Sequence, residues 1–169
     1  MKNIPIALTT DELYQCLVVG GHRRITSMFH RKTAQHYVSP DNSEWSTEIE
    51  SCCAELAFSK ATNKYWSGGV FSGERASHDS NGKQVRHTHY ANGKLIIYEE
   101  DNPDDKFILV TGRAPNYVLV GWIFGKTAQE CGKDHQWWTS PPKKQMPSWW
   151  VPQDELSPFP DNLLKLGGC

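Results

Sequence analysis

Tyr117 to Phe124, YVLVGWIF, is a nearly unbroken apolar run of strand length. Side chains alternate across a strand, so such a run needs cover on both faces and belongs at the centre of a layered fold. Two shorter apolar runs precede it. LIIY lies within an alternating stretch from Lys94 to Glu99, and FILV within Lys106 to Thr111. Turns fall between them at Asp101 to Asp105, with Pro103, and at Ala114-Pro115-Asn116. Connections this short favour an antiparallel meander.

The stretch Asp79 to Tyr90, DSNGKQVRHTHY, reads as a fourth strand, opened by Ser80-Asn81-Gly82 and closed by the hairpin pair Asn92-Gly93. Neither of its faces is apolar. Gln84, Arg86, Thr88 and Tyr90 share one face, and Val85, His87 and His89 the other. A polar strand beside a covered sheet needs partners for its side chains, and a functional site is one way to supply them.

Upstream the period changes from two to that of a helix. Thr10-Asp11-Glu12 marks a helix start, with Leu13, Cys16 and Leu17 on one face. Pro40 ends that segment, and Asp41-Asn42-Ser43-Glu44 starts a second helix running to about Thr62. Trp45, Ile49, Cys52, Cys53, Leu56 and Ala57 form its apolar stripe, and Glu48, Cys52, Glu55 and Ser59 lie along a neighbouring line. KYWSGGVF is a short strand candidate broken by Gly68-Gly69, and Lys126 to Cys131 is one or two helical turns. Beyond Gly132, six of the ten prolines interleave with Trp137, Trp138, Trp149 and Trp150, which suggests an extended segment laid across the core. The expected architecture is α/β in the α+β sense: a mostly antiparallel sheet flanked by N-terminal helices, with an aromatic, Pro-rich C-terminal wrap. At 169 residues it fits one domain, with a basic helical segment over 1–40, a core over 41–132 and the Trp/Pro-rich segment over 133–169.

Composition narrows the function classes. No apolar run approaches a membrane span, and the N-terminus lacks the basic-then-apolar order of a signal peptide, so a cytoplasmic protein is expected. The five cysteines include no CxxC pair; adjacent Cys52 and Cys53 suit small buried helix positions, and Cys131 with His135 is half a zinc site without a second half. Net charge is −1, but no acid falls between Leu13 and Pro40, where Arg23, Arg24, Arg31 and Lys32 are interspersed with His22, His30 and His36. That span reads either as a phosphate-contacting patch or as a solvated helix face.

Glu55, Asp79, Gln84 and Arg86 together are two carboxylates, an oxygen ligand and a cation. Such a set can hold Mg2+, or Mn2+ in its place, lower the pKa of a bound water and neutralise a phosphate, which is the chemistry of metal-assisted phosphodiester hydrolysis. His87 and His89, two apart on one strand face, could bind a transition metal, or His87 could act as base; otherwise they are histidines satisfied by their neighbours.

At these residues the chain resembles a degenerate PD-(D/E)XK nuclease signature. The runs EIESCCAELAFSKATNKYWSG, QVRHT, DDKFILVTGRAPNYVLVGWIFGK and WWVPQDEL, over roughly residues 44 to 156, are similar to a group of uncharacterised phage-encoded proteins of nuclease-like fold. The resemblance implies a restriction-endonuclease-like core and a magnesium-dependent nuclease acting on DNA in the host cytoplasm. By position, Asp79 matches the aspartate of the signature, Gln84 its second acid, Arg86 its lysine and Glu55 the helix glutamate, with Glu50 and Glu48 next in line. Three residues depart from it: His78 stands in place of proline, Gln84 carries no charge, and Arg86 stays protonated and cannot be a general base. The alternative expectation is a nuclease fold that has lost catalysis and binds nucleic acid, or a host protein, for example to block a defence system.

Overall fold

The computed structural model describes residues 3–29, 43–69, 83–139 and 146–160. Among these residues it is an α+β arrangement of two sheets and three α-helices, the third a short one at Gly125–Gln129. The first sheet has the order β1 (Ile4–Ala7), β5 (Asn116–Phe124), β4 (Lys106–Arg113), β2 (Lys83–Thr88). The apolar run from Tyr117 to Phe124 is thus interior. On one face of this sheet lie α1 (Thr10–Phe29) and α2 (Glu44–Ala61); on the other lies a small sheet of β3 (Leu95–Tyr98), β7 (Ser148–Val151) and β6 (Trp138–Thr139).

Alternation along β4 separates two cores. Ile108 and Val110 pack with Cys16, Cys53, Ala57 and Phe58 of the helices, whereas Phe107 and Leu109 pack with Leu95, Ile97, Trp149 and Val151. The meander expectation fails at its first step. β2 and β3 do not pair; β2 runs parallel to β4, with Gln84 opposite Phe107 and Arg86 opposite Leu109. Parallel neighbours need a crossover, and β3 supplies it across the far face. Its apolar side chains cover Phe107 there, and its own edge is satisfied by β7, so the turn at Asn92-Gly93 changes sheets instead of closing a hairpin. Only β4 and β5 form the expected antiparallel hairpin.

β1 is not expected from the sequence. Its Pro5 lacks an N–H, which an edge strand tolerates.

α1 and α2 form an antiparallel pair that can be followed residue by residue. Lys60 bonds Glu12 at one end, the Cys16 and Cys53 thiols meet in the middle, Gly20 lies against Ile49, and Arg24 pairs with Glu44 at the other end. A Cβ on Gly20 would stand 2.7 Å from the Ile49 Cα, so glycine sets how closely the helices approach. Gly121 does the same for the C-terminal segment: a Cβ there would lie 2.8 Å from Leu156 Cβ and Ser157 O, where Trp122 and Ser157 exchange backbone hydrogen bonds. With Trp149, Val151 and Leu156 buried, the described part of that segment is laid on the core as expected. Among the described residues no helix is long and apolar enough to cross a membrane.

Candidate functional site

Glu55 is 6 % exposed, deep in α2, and turned toward α1. Arg23 Nη1 donates to its Oε1 at 2.5 Å and Nη2 to its Oε2 at 2.9 Å, a fork-on-fork pair. Trp66 Nε1 adds a third donor at 3.0 Å, and Arg23 Nε is bound to Gly69 O at 2.9 Å. Both carboxylate oxygens are therefore committed to protein donors. Next to them, burial pushes the Glu48 carboxyl up from the ordinary range, against the pull of Arg23 and Arg24.

Gln84 and Arg86 lie on the other side of the sheet. Arg86 Nη2 donates to Asp101 Oδ1 at 2.7 Å, and its guanidinium stacks on Tyr98 and Phe107, 5.4 Å from each ring centre. Asp101 Oδ2 in turn accepts from the Tyr98 amide at 2.8 Å. The structure thus does not bring Glu55 together with Gln84 and Arg86, because the sheet stands between them. Asp79, Arg31 and Lys32 lie outside the described residues. Mg2+ or Mn2+ does not fit at Glu55 in this arrangement, since an ion there would have to displace Arg23 and Trp66. Among the described residues no three His, Cys, Asp or Glu side chains converge as a metal site. Arg23 and Arg24 are likewise committed, to Glu55 and Glu44, so neither presents a spare cation to a phosphate.

Glu50 serves a different cluster. Its Oε2 accepts from Tyr117 Oη at 2.5 Å, and His87 Nε2, 3.9 Å away, is bound to Gly112 O at 2.9 Å. Burial lowers the His87 pKa, opposed by the Gly112 carbonyl and Glu50, which favours the neutral ring. His87 meets the Tyr117 ring edge-on and His89 stacks on Tyr90, so each histidine has its own aromatic neighbour. Cys131 donates to Thr127 O, and His135 packs on Trp137.

The cationic surface lies elsewhere. The parallel register sets Lys83 beside Lys106, and the antiparallel register sets Lys106 opposite Phe124, so both lysines and the ring form one row across the end of the first sheet. Lys106 Nζ sits 4.1 Å from the centre of the Trp122 ring and 5.0 Å from Phe124. Lys126 covers Phe124 at 5.5 Å, and Lys83 lies over Phe58 at 5.8 Å. Burial, followed by Lys64 and Lys106, pulls the Lys83 pKa down. Among the described residues no carboxylate pairs with Lys64, Lys83, Lys106 or Lys126. Aromatic faces hold an ammonium in place without cancelling its charge. The sequence signal for it was faint: Lys83 and Lys106 each open a strand, and only the parallel pairing makes them neighbours.

Comparison with known protein families, curated proteins and solved structures finds no match to this chain.

Proposed function

We propose that this protein binds nucleic acid without cleaving it, on a restriction-endonuclease-like core of phage type whose metal site has been replaced by internal ion pairs. The observation that carries the reading is the row of Lys83 and Lys106, which no carboxylate pairs among the described residues, flanked by Lys64 and Lys126 and interleaved with Trp122 and Phe124. Lysines supply phosphate contacts, and adjacent rings offer stacking surface that a duplex keeps occupied with its own bases. A single-stranded backbone is therefore the preferred ligand. The nuclease-like origin is supported by the resemblance over residues 44 to 156, and loss of cleavage by the commitment of Glu55 to Arg23 and of Arg86 to Asp101.

The test is fluorescence anisotropy with labelled single- and double-stranded oligonucleotides, alongside plasmid nicking in Mg2+ and Mn2+. Binding that favours the single strand, weakens in Lys83→Glu and Lys106→Glu and leaves the plasmid intact is the expected result. Nicking that disappears in Asp79→Ala would overturn the non-catalytic reading. Absence of oligonucleotide binding would remove nucleic acid as the ligand and leave a host protein as the partner to capture.

A further inference from the structure

α1 is apolar on more than one side. Its inward side carries Leu13, Cys16, Val19 and Gly20, with Arg23 reaching Glu55 of α2. Its outward face carries Tyr14, Leu17, Val18, Ile25, Met28 and Phe29, which are 68 %, 50 %, 64 %, 45 %, 53 % and 83 % exposed. At 100° per residue these six and Gly21 fall within about one third of the helix circumference, a stripe as wide as a core-facing one. Solvent does not select such a stripe.

We infer that this face is covered by a second copy of the chain, packed antiparallel about a two-fold axis at Gly21. Tyr14, Leu17, Gly21, Ile25 and Met28 follow spacings of three, four, four and three, a helical stripe that reads the same in both directions. The pattern is symmetric about its centre: Leu17 and Ile25 lie four residues either side of Gly21, and Tyr14 and Met28 seven either side. Antiparallel packing therefore sets Tyr14 against the partner's Met28 and Leu17 against the partner's Ile25. A Cβ on Gly21 would meet nothing within 4 Å in its own chain, so the crossing point has room for a second backbone. Area fits too. Six side chains of this size and exposure present roughly 700 Å² per copy, close to the ~800 Å² per partner of a standard interface and more than a monomer usually leaves uncovered.

The inference does not depend on what the lysine row binds. Sedimentation equilibrium on the full chain across the micromolar range tests it, with Ile25→Glu and Gly21→Gln as variants and circular dichroism as the check on folding. Wild type is expected to be a dimer. Each variant should weaken it at least about a hundredfold, as charging or overfilling the centre of an interface does, while the helical spectrum stays unchanged. A wild-type monomer at all concentrations would overturn the inference, as would a dimer that both variants leave intact. Oligonucleotide binding by a monomeric, folded Ile25→Glu protein keeps failure of the dimer distinct from failure of the lysine row.

Discussion

Both oxygens of Glu55 accept charge-assisted hydrogen bonds, so truncating the residue removes the carboxylate that neutralises the Arg23 guanidinium between two helices. Glu55→Ala should destabilise the fold by about 3 kcal/mol, the usual cost of breaking a buried pair by removing one partner. Replacing both partners, Arg23→Met with Glu55→Leu, should recover most of that loss. Urea denaturation of the two variants checks this, and a Glu55→Ala protein of wild-type stability would contradict the ion-pair account. His87 gives a second residue-scale prediction. Its folded pKa lies below the unfolded value near 6.5, mainly because it is buried. Its contribution to stability is therefore fully present above about pH 6.5 and is lost as pH falls toward the folded value, where the unfolded chain binds the extra proton. Stability measured at pH 8 and at pH 5 should show a fall that His87→Gln reduces; a fall of equal size in the variant would assign it to other groups.

At the scale of elements, the closeness of α1 and α2 is set by one residue. Gly20→Ala must push Ile49 away, and the overpacking should cost about 1–3 kcal/mol despite the better helix propensity of alanine. Thermal unfolding measures the loss, and an unchanged midpoint would mean that the helices part more easily than their contacts indicate. Period carried this level well in the sequence. α2 begins and ends within a residue or two of its caps, with Ser43 accepting from the Ser46 amide, and β4 and β5 coincide with their apolar runs. Partners were harder to read. LIIY alternates equally well in a hairpin with β2 or in a second sheet with β7, and that choice depends on a tryptophan-bearing strand about fifty residues further on. In α1 the expected face of Leu13, Cys16 and Leu17 holds for Leu13 and Cys16, which pack on the core, while Leu17 lies at its margin, 50 % exposed.

For the molecule as a whole, placing β3 in a second sheet decides where charge collects. Parallel pairing of β2 with β4 brings two strand-opening lysines together, and the sheet itself separates Glu55 from Gln84 and Arg86. The candidate residues were each visible in the sequence, but their sides were not, because a strand reveals which residues share a face and leaves open which face meets the helices. The same topology leaves the basic span over residues 22 to 36 with its two described arginines, Arg23 and Arg24, already paired.

Salt dependence of oligonucleotide affinity tests the central claim most directly. If Lys83 and Lys106 contact phosphates, the logarithm of the binding constant should fall linearly with the logarithm of salt concentration. The double variant Lys83→Ala with Lys106→Ala should flatten that slope by about 1.4 for a single strand, since each lost phosphate contact removes about 0.7. A slope identical in wild type and double variant would place the binding surface, or the function, somewhere other than this end of the sheet.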